Sequence, residues 1–303
     1  MSGIFESKKA LHIYGACALA TAILCTLVRF ICLLFFFDSG IGYYKSGAVL
    51  PIILNVLLLL CVPTALVFCF FKKIKITPVT PQRDKNIKLW AIFPAFGFVA
   101  YAFIYISWLF EYSKYYSVIP LSYLINAIAL VGSCVFFFLI CFKKEISNAG
   151  YVLSGICVII FFIFSLANSY FNSLVQMNSP NKLIFQFACL SGMLLLVNEL
   201  RQGLDVKHPA FHLFSASVAS IYLLTSSIPS AIAYLMGRMP AAYSLFYTDI
   251  LFAFVCIFAI VRLIQMCFGA EPEVLPEILV DQEQEQDQEQ EQEQEQEQNT
   301  ETE

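Results

Sequence analysis

The sequence predicts an all-α integral membrane protein, a bundle of about eight transmembrane helices with both termini in the cytoplasm. Three observations lead to this fold class. Of the 303 residues, 59% are hydrophobic and only 13% are charged, which is about half the charged fraction of a soluble domain. The hydrophobic residues form long uninterrupted runs, and basic residues gather in every second connection between these runs. A lipid bilayer is therefore the expected environment of the chain.

Each long apolar run is predicted to be one transmembrane helix. About 20 apolar residues are needed to cross the hydrocarbon core as a helix. Runs of about this length occupy residues 10–37, 49–71, 89–110, 118–142, 149–168, 183–200, 210–236 and 245–268. No small-residue cleavage site ends the first run, so we interpret it as an uncleaved span rather than a signal peptide. The spans define a transmembrane domain over residues 1–270.

Residues 271–303 form a second predicted segment, an acidic cytoplasmic tail. Of the 22 acidic residues, 14 lie beyond Gly269, and residues 281–298 alternate an acid with glutamine. A helix or a strand would bring like charges together here, so we expect a disordered coil. Two interpretations stay open. The tail attracts a basic protein partner, or it is a repeat expansion without a role.

The distribution of basic residues predicts the orientation in the membrane. With the N-terminus inside, the inner connections hold twelve Lys and Arg residues, and the outer connections hold only Lys45, Lys114, Lys182 and Arg238. Basic residues accumulate on the cytoplasmic side of membrane proteins. The excess therefore predicts cytoplasmic termini and an even number of spans. We expect a multi-pass protein of a plasma membrane, and the lack of any Asn-x-Ser/Thr sequence is compatible with a bacterial one.

The first two hairpins carry the same residue types in the same order, which predicts a parallel duplication of a two-span unit. The first set is Asp38, Tyr43, Tyr44, Pro51, Asn55, Lys72 and Lys73, and the second is Glu111, Tyr115, Tyr116, Pro120, Asn126, Lys143 and Lys144. Several transporter folds contain parallel repeats. The alternative is that these residues are ordinary interfacial anchors, which occur in any hairpin.

Charged residues inside the spans are the first candidates for a functional site. An ionisable group at mid-membrane costs about 3 kcal/mol on insertion scales, so it needs a partner. Arg29 in the first span and Asp249 in the eighth lie at similar predicted depths, about 12 Å and 6 Å from the outer end. We predict that they face each other, either as a static ion pair or as a binding site for an anionic headgroup or solute. A static pair predicts that Asp249→Asn destabilises the fold by about 3 to 5 kcal/mol.

A second polar cluster is predicted at the cytoplasmic side of the bundle. Its members are Glu199, Arg201, Asp205, His208, His212 and Arg262. Asp205, His208 and His212 have the spacing of metal ligands on one helix face. Together with Glu199 and His12 they are the only support for a membrane-embedded metal hydrolase. An HxxxH spacing without a firm third ligand has low specificity, so interfacial histidines without a metal are the preferred interpretation.

The seventh span is unusually rich in serine. Small residues such as Ala216 and Ser220 allow helices to pack closely. Pro229 among hydroxyl groups instead indicates a backbone that is opened where it lines a cavity. Both interpretations stay open. The polar side chains predicted to line the bundle are Asn55, Asn126, Gln186, Ser226, Ser227 and Ser230.

Motifs for nucleotide binding and hydrolysis are missing from the sequence, which has no Walker loop, GxGxxG, GxSxG or HExxH. All 11 cysteines lie in apolar runs, where a thiol packs as a small hydrophobe. Nothing indicates a cofactor or a nucleic-acid partner. Three functional classes are left. The intramembrane charges favour a small-solute or lipid permease, a non-catalytic membrane sensor or accessory subunit is the alternative, and the metal hydrolase is a distant third. Substrate and oligomeric state stay open.

Overall fold

The computed structural model describes residues 2–71, 85–142, 148–172, 175, 179–204, 208–239 and 245–269. The α-helices within these residues are α1 (Ser2–Ile31), α2 (Val49–Leu66), α3 (Lys85–Trp90), α4 (Ile92–Tyr115), α5 (Leu121–Phe142), α6 (Asn148–Phe171), α7 (Pro180–Gly203), α8 (Pro209–Leu235) and α9 (Phe246–Phe268). They provide eight apolar segments long enough to cross a membrane, and α3 and α4 together form the third. This number confirms the predicted multi-pass helical bundle. The acidic tail lies outside the described residues.

Contacts between helix ends show that α1 and α8 run in one direction and α7 and α9 in the other. The beginning of α1 packs against the end of α9, where Gly15 approaches Cys267 closely. The end of α1 meets the beginning of α7 and the end of α8, where Arg29 is hydrogen-bonded to Asn181 and Ser230. We call the surface at which α1 begins the near face and the surface at which α1 ends the far face.

The last three spans form the centre of the bundle. In an 18-residue window of each span, 67% of the residues are buried in α8 and 56% in α7 and α9, against 28% in α1 and α2. Helix α8 packs against α1, α2, α7 and α9. Its small residues Ala216, Ala219 and Ser220 are fully buried, which lets the neighbouring backbones approach closely. Polar groups on α8 are therefore available to several helices at once.

The end of α1 carries a feature that the all-α prediction did not include. A π-helical turn, Cys32–Phe36, leads into a two-stranded antiparallel ribbon of β1 (Phe37–Asp38) and β2 (Tyr43–Tyr44). The turn between the strands closes at Gly42, whose φ of 71° is readily adopted by glycine. Ser179 donates a hydrogen bond to the Gly42 carbonyl at 3.0 Å. This bond attaches the ribbon to the start of α7.

The two hairpins that suggested a duplication are packed differently. Helix α5 packs against both α4 and α6, whereas α2 contacts α1 and α8 at the edge of the bundle. Asn126 is 4% exposed, but Asn55 is exposed on the surface of α2. The buried face of α2 carries Leu54, and Asn55 lies about 100° further around the helix. Asn55 therefore does not line the bundle interior, and the duplication stays a prediction.

Candidate functional site

A cavity of about 400 Å³ lies at the far-face end of the bundle, between α1, α6, α7, α8 and α9. We call it the polar cavity, because most of its lining side chains are polar. Asn168 and Phe171 of α6 line it and are exposed, so it reaches the surface of the bundle. Arg29, Lys182 and Asp249 also line it. Three charged groups from three different helices therefore share one cavity.

Arg29 is held in place by hydrogen bonds to α7 and α8. Its guanidinium donates to the Thr225 carbonyl at 2.6 Å, to Ser230 Oγ at 2.9 Å and to Asn181 Oδ1 at 3.3 Å. The Thr225 carbonyl is available because Pro229, four residues later in α8, has no backbone N–H to donate to it. The proline of the seventh span thus provides an acceptor for a buried arginine.

Lys182 is a second buried cation at the polar cavity, with only 6% of its surface exposed. Its Nζ donates hydrogen bonds to the backbone carbonyls of Asn172 at 3.1 Å and Val175 at 3.3 Å. Helix α7 begins at Pro180, which places Lys182 in the first helical turn. The side chain therefore ties the connection after α6 to the start of α7 and keeps a positive charge beside the cavity.

Asp249 lies in the first turn of α9 and is 3% exposed. This position is near the positive end of the helix dipole, which favours a carboxylate. Within the described part of the chain, no carboxylate oxygen of Asp249 lies within 4.0 Å of a guanidinium nitrogen of Arg29, so the two form no ion pair. The carboxylate also has no hydrogen-bond partner there. Arg29 and Asp249 line the same cavity without forming the static pair that was one of the two predicted arrangements.

Several buried polar atoms around the polar cavity lack a hydrogen-bond partner among the described residues. They are Arg29 Nε, Asn181 Nδ2, Ser226 Oγ, Thr225 Oγ1 and the Tyr44 hydroxyl. Each unmade bond of a buried polar group costs about 1–3 kcal/mol. Burial raises the pKa of Tyr44, on strand β2 beside Arg29, to about 12, so this hydroxyl keeps its proton and can donate. The site thus holds polar groups that the chain itself does not satisfy.

The polar cavity has the size and chemistry of a small-ligand site. Its volume lies in the range of about 300–1,000 Å³ that is usual for such sites. Two cations and one carboxylate leave an excess positive charge, which attracts an anionic group. The planar guanidinium of Arg29 matches a phosphate or carboxylate, and Asp249 can accept hydrogen bonds from a hydroxyl or an ammonium group.

A second polar cluster lies at the near-face ends of α7, α8 and α9. Glu199 Oε1 accepts hydrogen bonds from His212 Nε2 at 2.7 Å and from Arg262 Nε. Arg262 also donates to Gln202 Oε1 at 2.9 Å and to Gln265 Oε1 at 2.7 Å. We call these five residues the near-face network. Glu199, His212 and Arg262 are all at most 1% exposed, so the opposite charges of Glu199 and Arg262 are neutralised by each other rather than by water.

The other residues of the predicted cytoplasmic-side cluster do not join this network. His208 is exposed, and Arg201 is half-buried and contributes none of the hydrogen bonds described above, while Asp205 lies outside the described residues. His208 is the N-cap residue of α8 and is exposed, whereas His212 is 1% exposed, so the two imidazoles lie in different environments. In the part of the chain that the structure describes, no group of three His, Cys, Asp or Glu residues could hold a metal ion.

The residues predicted to line the bundle separate into different environments. Ser226 and Ser230 line the polar cavity. Ser227 is fully buried and donates to the Leu223 carbonyl at 2.6 Å. Gln186 lines a different cavity between α6 and α7. Asn126 is buried in α5, where its Oδ1 has no partner among the described residues.

The residues of the two clusters that sequence reasoning missed include Asn181, Lys182, Gln202 and Gln265. Gln202 and Gln265 each follow a predicted charged residue by three positions, and residues three apart are neighbours on a helix surface. That spacing could have identified them. Lys182 was counted as an outer-loop residue, because a lysine directly after a proline and an asparagine has no signal of burial.

Comparisons with protein-family models, with curated proteins and with solved structures found no match for this chain. A functional assignment therefore depends on the geometry of the two polar clusters.

Proposed function

We propose that this protein is a membrane permease whose polar cavity binds a small solute or a lipid that carries an anionic group. The observation that carries the proposal is the arrangement of Arg29, Lys182 and Asp249 around one cavity without an ion pair among the described residues. Charges buried in a membrane protein are costly and are typical of substrate pathways. Here three of them occur together, next to buried polar atoms that lack partners.

The opposite end of the same helices supports a transport role. Asp249 and Arg262 are 13 residues apart in α9, which is about 20 Å along the helix. The polar cavity reaches the surface of the bundle at its far-face end, while the near-face network joins α7, α8 and α9 at the other end. In alternating access, a central site is open on one side and closed on the other. Release to the near face would require Glu199 to separate from His212 and Arg262.

Side-specific thiol labelling of Ser226→Cys tests this proposal. A membrane-impermeant thiol reagent is applied to oriented vesicles from either side, and peptide mass spectrometry identifies residue 226 separately from the 11 native cysteines. Ser227→Cys is the matched control, because Ser227 is the adjacent buried serine and does not line the polar cavity. Lys9→Cys and Lys45→Cys, both at exposed positions, report which side each face occupies, and positive-inside orientation predicts Lys9 in the cytoplasm.

We expect Ser226→Cys to be modified from both sides and Ser227→Cys from neither. Adding Glu199→Gln should speed the modification of Ser226→Cys from the near face, because His212 and Arg262 then lose a charged acceptor. Modification from the far face alone in both backgrounds would favour the alternative, a membrane sensor or accessory subunit that binds a ligand without moving it. If residue 226 were modified from neither side, the cavity would not be accessible to water, and the proposal would be refuted.

A further inference from the structure

A second cavity, of about 390 Å³, lies between α6 and α7 and differs from the polar cavity in composition. We call it the apolar groove. Gln186 is the one amide in its lining, and most of the other lining residues are aliphatic or aromatic. Ile163, Tyr170, Leu183, Phe187 and Leu190 line the groove and are 41–49% exposed. In a membrane these partly exposed side chains face hydrocarbon, so the groove is open to lipid.

The polar cavity and the apolar groove adjoin each other. Phe171, at the end of α6, lines both of them. From Phe171 the groove follows α6 inward to Ile163, eight residues away, which is about 12 Å along the helix. Half of the hydrocarbon core is about 15 Å thick. The groove therefore extends from the polar cavity through most of the far-face leaflet.

We propose that the ligand of this site is a membrane lipid of the far-face leaflet, with an anionic phosphoryl headgroup in the polar cavity and one acyl chain in the apolar groove. This inference rests on the proposed function, because it names the substrate class of the same site. The excess of positive charge from Arg29 and Lys182 over Asp249 selects an anionic headgroup. Donor atoms without partners at Arg29 Nε and Asn181 Nδ2 match the phosphoryl oxygens.

The carboxylate of Asp249 further restricts the kinds of headgroup that fit the site. Its carboxylate has no partner among the described residues, and it would repel a headgroup that presents only acceptors. A headgroup with a hydroxyl or amine in addition to its phosphoryl group supplies donors to this carboxylate. A water-soluble anion would use the polar cavity and leave the adjoining groove unused. A lipid uses both.

Native mass spectrometry of the full chain in detergent tests the inference with two probes. Dioleoyl phosphatidylglycerol has a phosphodiester, two hydroxyls and acyl chains, whereas sn-glycerol 3-phosphate has the phosphoryl and hydroxyl groups alone. Leu190→Trp and Ala167→Trp each fill the groove from a different helix. Leu153→Trp is the matched control, because Leu153 is a 68% exposed residue of α6 outside the groove. Arg29→Gln removes one of the two cations of the polar cavity.

We expect phosphatidylglycerol to bind the wild-type chain at least tenfold more tightly than glycerol phosphate. Leu190→Trp and Ala167→Trp should weaken phosphatidylglycerol at least tenfold and leave glycerol phosphate unchanged, Leu153→Trp should alter neither, and Arg29→Gln should weaken both. Equal binding of the two probes, or no response to either groove-filling variant, would overturn the lipid inference and leave the permease proposal standing. If Arg29→Gln stays monodisperse and binds both probes as tightly as the wild-type chain does, both proposals would be overturned.

Discussion

The near-face network joins α7, α8 and α9, and the polar cavity uses these three helices together with α1 and α6, yet the two clusters treat buried charge in opposite ways. In the network, the charges of Glu199 and Arg262 are paired, and Glu199 Oε1 also accepts a hydrogen bond from His212, although Glu199 Oε2 and His212 Nδ1 have no partner among the described residues. In the cavity, Arg29 donates hydrogen bonds to neutral oxygens of Thr225, Ser230 and Asn181. The carboxylate of Asp249 has no hydrogen-bond or ion-pair partner among the described residues.

The two arrangements of buried charge suit different roles. A paired and hydrogen-bonded set of charges holds helices in one arrangement, and breaking it is costly. A set of charges that share a cavity without pairing keeps its electrostatic potential available for a ligand. The network therefore suits closure of the bundle, and the cavity suits binding. Substitutions should separate the two, since they should destabilise the protein at one end and alter binding at the other.

The largest effect on stability is expected for Arg262→Leu. This variant leaves Glu199 buried without its cation, so the free energy of unfolding should fall by about 3 to 5 kcal/mol, measured by titration with sodium dodecyl sulfate. The double variant Glu199→Leu with Arg262→Leu should be more stable than Arg262→Leu by at least about 1 kcal/mol, because no lone charge remains. Strictly additive losses would show that the network is not a coupled unit.

An intermediate effect is expected for Lys182→Met at the far face. The variant removes two hydrogen bonds to backbone carbonyls, those of Asn172 and Val175, and should cost about 1–3 kcal/mol of unfolding free energy in the same assay. The matched control is Lys114→Met, a far-face lysine that is exposed and should change stability by less than about 0.5 kcal/mol. If both variants lost the same amount, the burial of Lys182 would have no energetic consequence.

The smallest effect is expected for Asp249→Asn. Because Asp249 has no ion pair with Arg29 in the described structure, the amide should change the unfolding free energy by less than about 1 kcal/mol. A static pair predicts a loss of about 3 to 5 kcal/mol, so this variant separates the two arrangements sharply. A loss of that size would mean that the two charges meet in the membrane, and the contrast between the cavity and the network would disappear.

The helical spans could be predicted because each is encoded locally. The run Val49–Leu66, for example, contains no charged residue and is apolar at most positions, and length with composition suffices to predict a membrane span. The side of a helix that faces its neighbours is not encoded in this way. Lipid and the protein interior are both apolar, so the two sides of a membrane helix have almost the same composition. The sequence therefore did not predict that Asn55 is exposed while the adjacent Leu54 is fully buried.

The candidate site could be predicted only in part, for a related reason. Counting residues along the predicted spans placed Arg29 and Asp249 at similar depths in the membrane. It also placed Glu199 at a similar depth to His212 and Arg262. The actual partners depend on tertiary packing, since the bonds of Arg29 connect residues 152 to 201 positions apart. The role of Pro229 in exposing the Thr225 carbonyl to Arg29 also requires both helices to be in place. No local pattern contains this information.

The distance in sequence between Arg29 and its partners has a consequence for biosynthesis. The first of its hydrogen-bond partners is Asn181, 152 residues later, and at about 5–20 residues per second the ribosome needs roughly 8 to 30 s to reach it. During this interval the first helix carries an arginine with none of its final acceptors. Arg29 lies seven residues before the end of the first span at Phe36, so its long side chain can extend to the headgroup region while it waits. The arginine must then move from lipid headgroups into the protein as the last three helices arrive, which makes its burial a late step in assembly.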